Sequence, residues 1–158
     1  MSQENVEVVR TFFEAVDRAL QTWRSGDSVL EAMQAGDIPP EARDALGYLS
    51  PEVKWNPAFS GETFHGRLAL ARGWDDLLEA AGNYRIKLLE ATALDDDRVL
   101  AVFGPTLEGR SSGVHVDAVV FGVVTLQDGL ITRVDEYTDR REALEAVRLS
   151  EQDAHADS

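Results

Sequence analysis

No cysteine occurs anywhere in the 158 residues, which removes disulfide frameworks, thiolate nucleophiles, zinc ribbons and iron–sulfur clusters together. Positive charge is scarce as well: Lys54 and Lys87 are the sole lysines, and 29 acidic against 15 basic residues leave a formal charge of −14, with a pI near 4.5. Phosphate backbones, anionic membrane surfaces and polyanionic substrates are bound by clustered Lys and Arg, so no nucleic acid and no membrane partner is expected. No apolar run reaches the roughly 18 residues of a membrane span, and Met1-Ser2-Gln3-Glu4-Asn5 lacks a basic n-region and an apolar h-region. The expected location is cytoplasmic. Gly-rich phosphate loops, Gly-x-Ser-x-Gly and His-Glu-x-x-His are also missing, so nucleotide-dependent, serine-hydrolase and zincin chemistry fall away, and no cofactor is expected.

What is present is the composition of a folded globular protein, with 44% apolar, 28% charged and 8% aromatic residues. The length suits one domain, expected over residues 1–149 with a flexible acidic tail at 150–158. Val6, Val9, Phe13, Val16, Leu20 and Trp23 follow a 3,4 spacing and make one stripe of an amphipathic helix that ends at Ser25-Gly26. Ser28 with Glu31 three residues on forms a capping box, and Pro39-Pro40 suits a first helical turn, which places short helices at 28–35 and 40–49. Val53-Lys54-Trp55 reads as a short strand, Asn56 to Gly66 as a loop, and Leu68 to Ala81 as a helix.

The second half changes period. Residues 84–94, 99–107, 114–126 and 130–138 are rich in β-branched and aromatic side chains and read as a four-strand meander, with Asp128-Gly129 as a type I′ hairpin turn. Asp139, with Glu142 at the third position, caps a last helix. Helices followed by a long meander indicate an α+β domain with its helices on one face of a curved antiparallel sheet. Pro105 lacks the ladder N–H and belongs at a bulge or an unpaired point. The opposite sheet face, with Asp117, Val119, Phe121, Val123 and Thr125, is too apolar for water and predicts a homodimer through Val119, Phe121 and Val123.

Several blocks in this order resemble the SnoaL-like group of the nuclear-transport-factor-2-like superfamily, which includes ketosteroid isomerases and limonene epoxide hydrolases. They are Glu4-Asn5-Val6-Glu7-Val8-Val9-Arg10-x-Phe12-Phe13-Glu14-Ala15, Pro51-Glu52-Val53-Lys54-Trp55, His65-Gly66-Arg67, and Val124-Thr125-Leu126-x-Asp128-Gly129-x-Ile131-x-Arg133-Val134-x-Glu136-Tyr137-x-Asp139-Arg140-x-Glu142-Ala143-Leu144. The resemblance implies a cone-shaped, cystatin-like curved sheet wrapped around the N-terminal helices and enclosing a pocket. Residues 28–49 would be an extra helical insertion, with Tyr48 and Leu49 either a lid or part of the core.

The resemblance also sets the site. The Arg-x-Asp pair of the superfamily's epoxide hydrolases falls on Phe103-x-Pro105 and their last-strand Asp on Glu136. Phe and Pro can neither polarise an epoxide nor hold a water, so epoxide hydrolysis is disfavoured. Strand alternation puts Glu136 on one face with Val134 and Thr132, and Ile131, Arg133 and Asp135 on the other. An inward Glu136 would be desolvated, with a raised pKa, and available as a general acid or base; the bland alternative pairs it with Arg140 or water. On this basis Glu136→Gln should be neutral or stabilising at pH 8.

The pocket wall is expected to comprise Phe13, Val16, Leu20, Trp55, Asn56, Phe59, Trp74, Leu77, Ala101, Phe103, Leu107, Ala118, Val120 and Val134. His65 would be either a proton shuttle or a cap on the following helix. His115-x-Asp117 supplies two ligands where catalytic zinc wants three, and Asp95-Asp96-Asp97 lacks the spacing of a calcium loop, so no metal is expected. The resulting expectation is a cofactor-independent acid/base enzyme of the isomerase, polyketide cyclase or lyase kind, acting on a small hydrophobic molecule. The alternative is a non-catalytic ligand-binding or dimerisation module of the same fold.

Overall fold

The N-terminal stripe forms helix α1 (Ser2–Thr22), which buries Val9, Phe12, Phe13, Ala15 and Val16. The computed structural model describes residues 2–22, 28–58, 60–109 and 115–156; Trp23, the expected helix end at Ser25-Gly26, and Phe59 lie outside these. Ser28 caps α2 (Val29–Ala35), its hydroxyl accepting the Glu31 N–H at 3.1 Å. Gly36 closes that helix in the left-handed region, at φ 71°. Helix α3 (Pro40–Gly47) stops before Leu49, because Leu49 opens β1 (Leu49–Asn56), a longer strand than Val53-Lys54-Trp55 alone. The expected loop after it contains β2 (Phe64–His65), and then come α4 (Arg67–Ala80), β3 (Ala81–Ala93), β4 (Arg98–Gly109), β5 (His115–Asp117), β6 (Val120–Gln127), β7 (Leu130–Tyr137) and α5 (Arg140–Ala156).

The sheet order is β2-β1-β7-β6-β4-β3, with β5 beside β4, and the sheet is curved and unclosed. The meander is there: β3, β4, β6 and β7 pair in sequence, all antiparallel. Asp128 and Gly129 hold φ 53° and 80°, as the I′ turn requires. The parallel pairing of β1 with β7 makes the sheet mixed. It also carries the N-terminal half of the chain to the strand that bears Glu136.

Two local departures have physical reasons. The expected strand 114–126 is broken: β5 ends at Asp117 and β6 starts at Val120. Pro105 faces that break, since its carbonyl accepts the Ala118 N–H at 3.2 Å and a strand residue's N–H and C=O point the same way; its other side pairs regularly with Ile86. On β7 the register slips between Thr125↔Arg133 and Leu126↔Ile131, so Thr132 is an extra, bulged residue. Ile131 therefore turns inward, with 0% exposure, and Thr132 donates its hydroxyl to the Thr125 carbonyl instead of sharing the Glu136 face.

The core fills the concave side, where Val9, Phe13 and Val16 of α1 meet Val53, Trp55, Ala101, Phe103, Val120, Val124, Ile131 and Val134. The helices are not all on that side. Ala143 and Val147 of α5 pack on Leu100, Val102 and Val123 across the sheet, so the apolar outer face expected to meet a second copy is covered in part by the chain's own helix. Val123 is 5% exposed, whereas Val119 remains 47% exposed. Asp139 accepts the Arg141 and Glu142 N–H groups at 2.7 and 3.2 Å. The helix continues to Ala156, past the expected start of the tail, tied back by the Arg98–Glu151 pair at 3.2 Å.

Candidate functional site

Glu136 sits one residue from the end of β7 and opposite Gly122 of β6, which itself pairs with Ala101. Those partners place all three on the concave face. A Cβ on Gly122 would come within 3.2 Å of the Phe103 ring and press on it, and that ring packs on Phe13 at 4.8 Å. Parallel pairing sets Trp55 of β1 against Val134, which brings the indole beside the carboxylate. Trp55 Nε1–H donates to Glu136 Oε2 at 2.6 Å. Pro57 follows the strand, and the next amide, Ala58 N–H, donates to Glu136 Oε1 at 3.1 Å.

Both carboxylate oxygens thus have a neutral N–H donor, and among the described residues no cation pairs with them. Arg140, the salt-bridge partner of the bland alternative, lies on the outer face, bound to Glu90 at 2.6 Å and stacked over the Phe121 ring at 5.5 Å. Burial pushes the Glu136 carboxyl above its usual range, while the Trp55 and Ala58 donors pull it part of the way back. Tyr84 of β3 shares this environment: burial, and then the charge of Glu136, push its hydroxyl well above the ordinary tyrosine value. Its ring meets Trp74 of α4 edge-on at 5.9 Å. The arrangement is a half-buried carboxylate fixed at both oxygens, ringed by indole, phenol and aliphatic groups, and suited to taking or giving one proton.

The remaining expected residues separate into groups. Phe13, Trp55, Ala101, Phe103, Val120 and Val134 are packed in the core. Asn56 turns to the outer face, where its amide donates to Asp135 Oδ1 at 2.6 Å and accepts from Thr63. His65 is exposed and pairs with Lys54 on that same outer side, so it does not join Glu136. Ala118 is half-buried in the strand break, and Leu77 half-buried on α4. Phe59 and the Leu107 side chain lie outside the described residues. Val16, Leu20 and Trp74 line a cavity of about 80 Å³ among the helices, not the space around Glu136. No group of three or more His, Asp or Glu that could hold a metal occurs among the described residues.

Sequence reasoning missed Ala58 and Tyr84. Ala58 contributes only a backbone amide, which no side-chain pattern reports. Tyr84 was visible as the first of Tyr84, Ile86 and Leu88, alternate residues that point inward together.

The SnoaL-like domain profile matches residues 27–134. The chain belongs to the SnoaL-like domain family. Among solved structures it is similar to a candidate SnoaL-like polyketide cyclase from Jannaschia sp. CCS1, with 16% identity, 90% of each chain covered and a TM-score of 0.65. It also resembles SalBIII, an epoxide hydrolase/cyclase-like enzyme in pyran-ring formation in the polyether salinomycin, with 15% identity, 88% and 93% covered and a TM-score of 0.61. An NTF2-like protein from Burkholderia xenovorans LB400 shares 23% identity over 88% and 92% of the two chains, with a TM-score of 0.57. No curated protein matches by sequence. At these identities the likeness is one of fold. Among the described residues of this SnoaL-like domain, no helix is long and apolar enough to cross a membrane.

Proposed function

We propose that this SnoaL-like domain is a small-molecule enzyme that moves a proton with Glu136 and needs no cofactor, in the manner of an isomerase, cyclase or lyase on a hydrophobic carbonyl compound. The observation that carries the reading is the Glu136 carboxyl itself: inward, met by no cation among the described residues, and raised by burial. A carboxylate with a raised pKa is a stronger base toward a carbon-bound proton, and it returns that proton at another position as the acid. Tyr84, protonated far above neutral pH, is the hydroxyl at hand to donate to a developing enolate oxygen. The cyclase and cyclase-like names among the fold neighbours support this class.

A second reading has its own support. Two N–H donors already occupy Glu136, which is also how a carboxylate fastens a loop. On that reading the domain binds without turnover, or associates with other chains.

Deuterium uptake α to the carbonyl of 2-tetralone, followed by proton NMR, separates the two. The enzyme reading expects accelerated exchange that rises with pH through the Glu136 ionisation and falls at least about 100-fold in Glu136→Gln. Binding with exchange no faster than buffer, or equal exchange by both proteins, assigns the second reading.

A further inference from the structure

The insertion at 28–49 builds something apart from the Glu136 carboxylate and its donors. Helices α2 and α3 lie against α1 and α4, and the space between them is the cavity of about 80 Å³. Its wall comes from all four helices, through Phe12, Val16 and Leu20, Val29, Ala45 and Leu46, and Leu70 and Trp74; Leu49 is its one described sheet residue. Arg67, the one charged residue among the described lining, directs its Nε and Nη2 hydrogens at the Leu49 carbonyl. The cavity is thus apolar and offers a water few partners.

Two aromatic pairs partition it from the site. Phe12, on the cavity side, packs on Trp55 at 6.2 Å, and Trp74 on Tyr84 at 5.9 Å, with Trp55 and Tyr84 belonging to the Glu136 side. The roof is the least secure wall. Helix α2 has seven residues and none of them is buried; its start is fastened by Asp75 of α4, whose carboxylate accepts Ser28 Oγ–H at 2.7 Å and the Val29 and Leu30 amides at 2.6 and 3.2 Å. A short helix that meets the cavity through Val29 and is fastened at its start by a polar clamp can admit a ligand without unfolding the core.

We propose that this cavity is a second binding site, independent of the Glu136 reading, for the compact apolar end of a small molecule. Volume sets the class. An apolar cavity of about 150 Å³ stays dry and accepts benzene or xenon; at roughly half that size the site fits a short branched alkyl group and rejects a ring.

Xenon is the probe, read on the methyl resonances of the carbon-13-labelled chain. Wild type is expected to show saturable shifts at the Val16, Leu20, Val29, Leu46 and Leu70 methyls, with the Val120 and Val134 methyls of the Glu136 side unmoved. Ala45→Leu fills the space from α3 and should weaken these shifts at least about tenfold, while Glu136→Gln leaves them intact. If Ala45→Leu does not fold, Ala42→Leu, on the same helix and also in the lining, takes its place with the same expectation. Shifts that do not saturate, that persist in the filled variant, or that centre on Val120 and Val134 overturn the proposal.

Discussion

Glutamine is a poor mimic of Glu136 because both oxygens of the carboxyl accept N–H bonds. A glutamine amide offers one acceptor and one NH₂, so either the Trp55 or the Ala58 donor faces another donor. At pH 5 we expect Glu136→Gln to destabilise the protein by about 1–3 kcal/mol in urea denaturation, the cost of a buried donor left unmade. The sign of the pH dependence follows from the raised carboxyl. A folded pKa above the unfolded value means that the fold prefers the proton, so this contribution is complete below the unfolded pKa and is lost as pH rises through the folded one. The gap between wild type and variant should therefore narrow as the pH rises across that window; a gap that widens would reverse the assignment. The expectation of a neutral or stabilising variant at pH 8 rests on charge burial alone; the two donors add a cost that opposes it. Asp17 works in the opposite direction: its bond to Arg85 at 2.8 Å lowers its pKa, so its contribution is lost as pH falls.

Helix α2 illustrates how an element too short to stand alone is held. Seven residues do not sustain a helix in water, and α2 relies on Ser28, Gly36 and, from α4, Asp75. Asp75→Ala removes the acceptor for two amides and a hydroxyl, and should cost about 1–2 kcal/mol on the scale of a lost N-cap. Amide exchange confined to residues 29–35 would show it; protection unchanged there would mean that packing on α4 suffices. The Ser28 cap was legible from its spacing to Glu31, but Asp75, forty-seven residues away, was not, since nothing local marks one of two adjacent aspartates on α4 as a clamp. The same holds for the bulge at Thr132. Alternation alone assigns Ile131 outward, and only the pairing with β6 reverses it.

At the scale of the molecule, α5 decides what the outer sheet face is for. Because Val123 is sealed by Ala143 and Val147, Val123→Asp should lower the melting temperature by burying a charge, and by the same amount at every protein concentration. A loss that shrinks as concentration rises would return Val123 to a subunit interface. The charge of −14 acts on the whole fold. One-to-one pairing with the 15 basic residues leaves 14 of the 29 acidic ones without a cation, so mutual repulsion opposes compaction and salt screens it. Raising sodium chloride from about 10 to about 200 mM is expected to raise the melting temperature, over a range in which the Debye length falls from roughly 30 to below 10 Å.

The amino-acid order by itself determined the helix stripes, the Ser28 and Asp139 caps, the Asp128-Gly129 turn and the antiparallel meander apart from the break in its third strand, because each rests on contacts between residues close in the chain or on a fixed period of side-chain direction. It also singled out Glu136 as an inward carboxylate, since Val134 and Glu136 are two apart on a strand. The tertiary structure alone decided the rest. The parallel docking of β1 on β7 supplies the Trp55 and Ala58 donors, the packing of α5 covers part of the apolar outer face, and the bulge on β7 sets which residues flank the carboxyl. Val16, Leu20 and Trp74 carry the same lesson: their helical faces were readable, but the cavity they line lies between helices whose mutual placement depends on long-range packing, which no local period encodes.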